Sequence, residues 1–281
     1  MKLPLHVDWD GTGGHRGGSA RPVLALLHGF AGDGTAWAPV REGLRSLGPT
    51  LAIDLIGHGK SPAPDDPRRY RMEACLDDLE AVLKGLGIPA AWWVGYSMGG
   101  RTALQLAVHK PHLVRGLVLE SATAGIASPI EQGERRKADE ALAQSILTEG
   151  MEAFVEQWLN QPLFEGLQRL PEERLAAERE RRVRQRPEGL AQSLRGMGAG
   201  AMQPVWERLS EIDVPALAIA GEDDEQFCRL AGRLALAIPG AQMLRIPHAG
   251  HMPHTENPRL FLNGVRGFVL GHERESIADL A

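Results

Sequence analysis

The pentapeptide Gly95-Tyr96-Ser97-Met98-Gly99 restricts the fold of this chain more than any other feature. It follows the apolar run Trp92–Val94 and precedes a helical pattern over Gly99–Lys110. A serine at such a junction sits on a tight, strained turn, and the small residues two positions before and after it let the backbone pass. That turn directs the hydroxyl out of the end of the strand. The pattern therefore predicts a strand–turn–helix unit that presents Ser97 as a reactive residue.

Short apolar runs alternate with helical patterns along most of the 281 residues. Runs that are apolar on both faces are typical of parallel strands buried between helices, so the alternation predicts an α/β fold with a mainly parallel sheet. The predicted strands are Val23–Leu27, Leu51–Ile53, Trp92–Val94, Leu117–Leu119, Ala216–Ala220 and Met243–Ile246. The predicted helices are Glu73–Lys84, Gly99–Lys110 and Pro258–Val269.

Residues 126–209 interrupt this alternation. They contain no strand-like run and are rich in Arg, Glu, Gln, Ala and Leu, which favour helices. We interpret them as a helical cap inserted into a core made of residues 1–125 and 210–281. The Gly-rich segment 11–20 is interpreted as a surface loop, because it lacks the glycine order of a phosphate-binding turn.

Composition excludes several classes of protein. With 31 Lys and Arg against 36 Asp and Glu, the net charge is −5, which is not the footprint of a nucleic-acid-binding protein. No run of 18 apolar residues predicts a membrane span, and no secretion signal begins the chain. The two cysteines, Cys75 and Cys228, form no metal-ligand or disulfide pattern and suit a reducing compartment. These features predict a cytoplasmic protein without nucleic-acid or membrane partners.

A reactive serine needs a base and an orienting acid, which follow it in the order Ser, Asp or Glu, His. His251 and Asp224 each follow an apolar run, so both are expected at the carboxyl edge of the sheet, where α/β proteins bind ligands. Glu222 and Asp223 compete with Asp224 for the role of the acid. Glu120, which also ends a predicted strand, is a further candidate.

The loop after the first predicted strand begins with His28-Gly29-Phe30. In this type of fold that loop completes an oxyanion hole, here with the backbone N–H groups of Phe30 and Met98. The imidazole of His28 is expected to hold the loop and to take no part in proton transfer.

Three histidines, His248, His251 and His254, are spaced by three residues, as in some metal sites. Gly250 and Pro253 make the segment a loop rather than one face of a helix, and no cysteine accompanies it. The sequence therefore predicts no metal site and no cofactor.

Together these motifs resemble the α/β-hydrolase superfamily over nearly the whole chain. The resemblance is carried by HGFAGDGTAW (28–37), DLIGHGKS (54–61), GYSMGG (95–100), AGEDD (220–224) and AGH (249–251). Within the superfamily the chain resembles the 2-succinyl-6-hydroxy-2,4-cyclohexadiene-1-carboxylate synthases of menaquinone biosynthesis. That closer resemblance rests on Tyr96, Arg101, EQGERRKAD (131–139), WLNQPLF (158–164) and RPEGLAQSLRGMGAG (186–200). The stretch Ser121–Gly125 departs from this branch, because it lacks a proline before the glycine.

The resemblance implies a carbon–oxygen lyase that eliminates pyruvate from a cyclohexene bearing three carboxylates. Its catalytic residues would be Ser97, Asp224 and His251, with the serine removing a proton next to a carbonyl. The substrate-binding residues would be His28, Tyr96, Arg101, Arg135, Trp158 and Arg182. Arg136 competes with Arg135, and Arg179 or Arg184 competes with Arg182.

The residue chemistry agrees, since arginine recognises carboxylates in a planar, bidentate manner. A small anionic substrate is therefore expected, bound by a monomer or a small homo-oligomer. Two other hypotheses stay open: a serine hydrolase that cleaves a carboxylate-bearing ester or a carbon–carbon bond, and a non-catalytic binding module on the same fold.

Overall fold

The computed structural model describes residues 4–11 and 21–278. Within them, one sheet runs in the strand order β1-β3-β2-β4-β5-β6-β7. The strands are β1 (Val7–Trp9), β2 (Leu24–Leu27), β3 (Thr50–Ile53), β4 (Ala91–Tyr96), β5 (Val114–Glu120), β6 (Ala216–Gly221) and β7 (Gln242–Ile246). All but one of the neighbouring pairs are parallel, which confirms the predicted α/β fold. Nearly all of the Gly-rich segment 11–20, predicted to be a loop, lies outside the described residues.

The exception is β1, which pairs antiparallel with β3 at the edge of the sheet. It was not predicted, because its three residues are too few to show a periodic pattern.

The helices are α1 (Ala38–Arg45), α2 (Met72–Leu86), α3 (Met98–His109), α4 (Pro129–Leu159), α5 (Glu172–Val183), α6 (Pro187–Met197), α7 (Glu225–Ala237), α8 (Pro253–Glu256) and α9 (Pro258–Ala278). None of these described helices is both long enough and apolar enough to cross a membrane.

The sheet lies between two layers of helices because its central strands are buried on both faces. Along β2, Leu24 and Leu26 join one apolar cluster, whereas Ala25 and Leu27 join the other. Helices α2, α3 and α7 cover the second cluster, and α1 and α9 cover the first. Each fully buried leucine contributes about 1.5–3 kcal/mol, so this sandwich gives the strand ends a rigid base.

Helices α4, α5 and α6 lie between β5 and β6, and the chain forms no strand from 121 to 215, all of which the structure describes. The long helix α4 is interrupted at Gly150, where φ is +83°. Ile146, Phe154 and Leu190 of this segment join the apolar cluster that contains Leu24. The segment therefore packs on the core through an apolar face, although the exact domain boundaries stay a prediction.

The two ends of this helical segment meet. The N–H of Val205 donates to the carbonyl of Ala124 over 2.8 Å, and the indole N–H of Trp206 donates to the carbonyl of Gly125 over 2.7 Å. At Gly125 φ is +107°, and a Cβ there would lie 2.8 Å from Pro204 Cα. Position 125 therefore requires glycine. The contact with Pro204 fixes the backbone here, although the chain lacks the proline before the glycine that the resemblance leads one to expect.

Candidate active site

Ser97 lies between β4 and α3 with φ +50° and ψ −106°, a conformation that residues with a side chain rarely adopt. A Cβ on Gly95 would lie 2.5 Å from the carbonyl oxygen of Gly99, and a Cβ on Gly99 would lie 2.2 Å from that of Leu27. Both positions therefore require glycine, because a side chain would clash with the backbone. The N–H of Ser97 donates to the carbonyl of Glu120 over 2.8 Å, which ties the turn to the neighbouring strand.

The structure brings Ser97, His251 and Asp224 into one chain of polar contacts. His251 Nδ1 lies 2.8 Å from Asp224 Oδ2, and His251 Nε2 lies 3.4 Å from Ser97 Oγ. If Nδ1–H donates to the carboxylate, Nε2 is free to accept the serine proton.

Asp224 is the carboxylate that reaches His251, and its second oxygen accepts the N–H of Phe227 at the start of α7. The other candidate acids are placed elsewhere. Glu222 is exposed, and Asp223 forms an ion pair of 2.7 Å with Arg169. Their roles in catalysis stay predictions, but the geometry favours Asp224 over both.

Glu120, the remaining candidate, is fully buried against a different histidine. Its carboxylate lies 2.8 Å from His254 Nδ1 and also accepts the backbone N–H of His254. Two histidines of the spaced triplet therefore pair with separate carboxylates, while His248 is exposed. The described residues contain no group of three or more His, Cys, Asp or Glu side chains arranged to hold a metal ion.

Phe30 and Met98 line the cavity beside Ser97. Among the described residues, neither backbone N–H group donates a hydrogen bond to a backbone carbonyl in a turn, loop or helix cap. Met98 is also the first residue of α3, where N–H groups carry the positive end of the helix dipole. Their role in an oxyanion hole stays a prediction.

His28 is buried and does not line that cavity. Its Nδ1 lies 2.7 Å from the carbonyl of Gly29, and its Nε2 accepts the N–H of Leu55 over 3.0 Å. Burial lowers the pKa of the imidazole, so His28 is neutral and anchors two loops. This corrects its inclusion among the substrate-binding residues.

The cavity above Ser97 has a volume of about 470 Å³ and is enclosed by residues of the sheet core and of the helical segment 126–209. Three larger surface grooves, one of about 910 Å³ and two of about 750 Å³, occur in the described residues, and none of them is lined by Ser97. Four of the predicted substrate-binding residues line the cavity, namely Tyr96, Arg101, Arg135 and Trp158.

Arg101 forms no ion pair in this cavity, although Asp139, which also lines it, acts on its charge from a distance. No described carboxylate pairs with its guanidinium, and its buried Nε has no hydrogen-bond partner. Burial and the nearby charge of Arg135 lower the pKa of Arg101 to about 10, which still leaves it protonated at neutral pH. A partly buried cation without an ion-pair partner is costly, so the site is suited to an anion that enters with the ligand.

Arg135 shares its charge with Asp139, four residues later in α4, over 2.7 Å. The competing residue, Arg136, donates to the carbonyl of Gly200 and does not line the cavity. Of this pair, Arg135 is therefore the one placed to meet a ligand. Its spacing from Asp139 is the usual one for ion pairs on a helix.

Arg182 is the main departure from the expected arrangement. Its guanidinium donates to Glu178 over 2.6 Å, both side chains are buried, and Arg182 is not among the residues that line the cavity. Arg181 donates to the same carboxylate over 2.6 Å. Burial raises the pKa of Glu178, but the two guanidiniums outweigh it and lower that pKa to about 2. Arg182 thus shares the charge of Glu178 with Arg181, and its buried Nε has no hydrogen-bond partner.

Arg179 and Arg184, the alternatives to Arg182, pair on the surface with Glu152 and Glu180. They do not line the cavity either. The structure therefore supports two cavity arginines rather than the three that the resemblance implies.

Aromatic rings form the rest of the wall. Trp158 packs against Phe30 and Phe164 with ring centroids 5.5 and 5.6 Å away, and its buried indole N–H has no partner. Phe227, which sequence reasoning missed, meets the His251 ring edge-on at 4.5 Å. Its position three residues after Asp224, in the first turn of α7, is a local signal that could have indicated it.

A family model for the α/β hydrolase fold matches residues 22–258. The chain is 41% identical to a putative 2-succinyl-6-hydroxy-2,4-cyclohexadiene-1-carboxylate synthase of Bacillus subtilis, over 90% of this chain and 92% of the relative. It is 32% identical to the synthase of that name from Klebsiella pneumoniae, over 84% and 89% of the two chains.

Two solved structures are similar along their whole length. MenH from S. aureus superposes with a TM-score of 0.89 and 33% identity, covering 96% of this chain and 99% of the other. An enol-lactonase from Burkholderia xenovorans has a TM-score of 0.80 and 28% identity, covering 95% and 96%. The chain therefore belongs to the α/β-hydrolase family and, within it, to the family of 2-succinyl-6-hydroxy-2,4-cyclohexadiene-1-carboxylate synthases.

Proposed function

We propose that the chain is a carbon–oxygen lyase of menaquinone biosynthesis. It eliminates pyruvate from 2-succinyl-5-enolpyruvyl-6-hydroxy-3-cyclohexene-1-carboxylate and gives 2-succinyl-6-hydroxy-2,4-cyclohexadiene-1-carboxylate. The observation that carries this proposal is the unpaired Arg101 in the cavity that also contains Ser97 and His251. The family membership agrees with it.

The names of substrate and product define the bonds that change. A proton leaves C2, next to the succinyl carbonyl, and a C2=C3 double bond forms. The ring double bond moves from C3=C4 to C4=C5, and the bond from C5 to the enolpyruvyl oxygen breaks. The leaving group takes the electron pair, is protonated and tautomerises to pyruvate.

The three polar residues suit the proton transfers in this scheme. His251 accepts the hydroxyl proton of Ser97 while Asp224 stabilises the imidazolium, and the serine oxygen then removes the C2 proton. His251 afterwards returns its proton to the departing enolpyruvate. No acyl-enzyme is needed.

Negative charge develops on the succinyl carbonyl oxygen as the C2 proton leaves. The N–H groups of Phe30 and Met98 are proposed to stabilise it, each by about 3 kcal/mol, in line with measured oxyanion-hole donors. Arg101 and Arg135 are proposed to bind carboxylates of the substrate, with Tyr96 and Trp158 as apolar walls.

We further propose that the helical segment 126–209 acts as a cap and that the enzyme works in the cytoplasm as a monomer or a small homo-oligomer. Both cysteines are buried free thiols, and burial raises the pKa of Cys75 to about 12. Thiols that are kept reduced and unreactive are consistent with that compartment.

The test is pyruvate release from the enolpyruvyl cyclohexene substrate, followed with a coupled lactate dehydrogenase. We expect turnover by the wild type and none above background by Ser97→Ala. Hydrolysis of p-nitrophenyl esters that far exceeds pyruvate release would instead identify a serine hydrolase, and loss of both activities would identify a binding module.

A further inference from the structure

Glu256, at the end of α8, is a buried carboxylate to which the proposed chemistry assigns no task. One of its oxygens accepts the N–H of Gly250 over 2.7 Å, and the other accepts the N–H of Met252 over 2.9 Å. These two residues flank His251 directly. The carboxylate therefore binds the peptide groups on both sides of the histidine that meets Ser97.

The absence of a side chain at Gly250 leaves room for this carboxylate beside the loop that contains His251. A Cβ on Gly250 would lie only 3.3 Å from Glu256 Oε2, so a larger residue would press on the carboxylate. Hydrogen bonds from backbone N–H groups to an ionised oxygen are among the stronger ones in proteins. With one oxygen committed to each N–H, Glu256 restrains the rotation of the loop at two points.

The cap segment Pro162–Arg169 reaches the same carboxylate. A Cβ on Gly166 would lie 1.9 Å from Glu256 Oε2, which shows that the cap backbone packs directly on it. Arg169 donates to Glu256 over 3.4 Å and also forms its ion pair with Asp223. Glu256 thus lies between the cap and the loop that holds His251.

Glu256 does not line the cavity above Ser97, so it has no direct path to a substrate. We propose, on the basis of the proposed function, that Glu256 is a positioning residue for His251. Arg169 of the cap contributes by fixing the Glu256 carboxylate in place. Contact between cap and core would then be coupled to the alignment of the base with Ser97.

The main test compares Glu256→Gln with the wild type in the pyruvate-release assay. Glutamine keeps the length of the side chain, but its NH2 group cannot accept the second N–H, so one of the two restraints is lost. We expect kcat to fall by about tenfold or more, since small misplacements of a catalytic group have effects of that size. KM should stay within about twofold, because no substrate contact is removed.

A second readout needs no substrate. The Nδ1–H proton of His251, hydrogen-bonded to Asp224, should give a downfield NMR resonance that His251→Gln removes. We expect this resonance to weaken or broaden in Glu256→Gln. If the wild type releases no pyruvate, the proposed function fails, while this measurement still tests the positioning role.

Unchanged kcat with an unchanged resonance in Glu256→Gln would overturn the proposal, as would a rise in KM alone. If that variant does not fold, Arg169→Met decides, with Arg179→Met as a matched control whose arginine pairs with Glu152 on the cap surface. Arg169→Met should lower kcat by about threefold at constant KM, as expected for one weaker charged contact. A loss no greater than in Arg179→Met, or than in Asp223→Asn, would refute the contribution of Arg169.

Discussion

Arg101 and Arg135 face one cavity, the first from core helix α3 and the second from cap helix α4. Of the two, only Arg135 forms an ion pair with a carboxylate of the described residues, that of Asp139. Burial and the positive charge of Arg135 lower the pKa of Arg101 to about 10. An anionic ligand would relieve this repulsion. If the substrate binds as proposed, the pair would join its recognition to the contact between the helical segment 126–209 and the core.

Replacing Arg101 with alanine should lower kcat/KM on the anionic substrate by about 10- to 100-fold, because a charge-assisted bond contributes about 1.5–3 kcal/mol. Arg135→Ala should have a smaller effect, since Asp139 already takes part of its charge. Neither should change hydrolysis of an uncharged p-nitrophenyl ester by much. Equal kcat/KM of wild type and Arg101→Ala on the anion would contradict the model of carboxylate binding.

The triad makes a second prediction. Ser97→Ala should lower turnover by several orders of magnitude without unfolding the chain, and Asp224→Asn should approach that loss because the wrong tautomer of His251 results. Asp223→Asn is the matched control, since its carboxylate pairs with Arg169 instead. Steady-state rates of the three variants decide, and a larger loss in Asp223→Asn would move the acid by one position.

Arg182→Ala should act on stability more than on binding. It leaves the buried Glu178 with Arg181 as its remaining partner, so the cost should lie below the roughly 3–5 kcal/mol of leaving a buried charge unpaired. We expect a lower free energy of unfolding in urea and, in the folded variant, a KM within about threefold of wild type. A KM raised tenfold or more at unchanged stability would restore Arg182 as a substrate ligand.

The same ion pair makes stability depend on pH. Arg182 and Arg181 outweigh burial and lower the pKa of Glu178 to about 2, below its value in the unfolded chain. Its stabilising contribution is therefore complete above about pH 5 and is lost as the pH falls through 4.5 towards 2, by about 3 kcal/mol in total. Urea unfolding between pH 6 and 3 should show a smaller decline in Glu178→Gln. Parallel curves for both proteins would exclude this pair as a source of acid sensitivity.

The sequence predicted what depends on neighbours along the chain. The turn at Ser97 directly follows the buried strand β4, and Asp224 and His251 lie in the loops that follow β6 and β7. The six predicted strands all occur with slightly different ends. The edge strand β1 was missed because three residues carry no periodic signal. Helices α1, α7 and α8 were not identified either, and α8 begins at Pro253, in the segment predicted to be a loop.

The cap arginines show where sequence reasoning ends. Whether Arg135 or Arg136 enters the cavity depends on how α4 is rotated against the core, and no local pattern determines that. For Arg182 a local signal was available, because Glu178 lies four residues earlier on the same helix. Spacing thus indicated an ion pair where the family resemblance implied a substrate contact.

The backbone at Ser97 has a consequence for how this enzyme responds to selection. Its φ of +50° costs a residue with a side chain about 1–3 kcal/mol, and glycine would largely escape that cost. Ser97→Gly should therefore raise the melting temperature while abolishing turnover, and an unchanged or lower melting temperature would show that the turn is unstrained. A laboratory evolution scheme that rewards heat resistance alone would favour inactive chains at this position. Only a screen that also demands product would keep the serine.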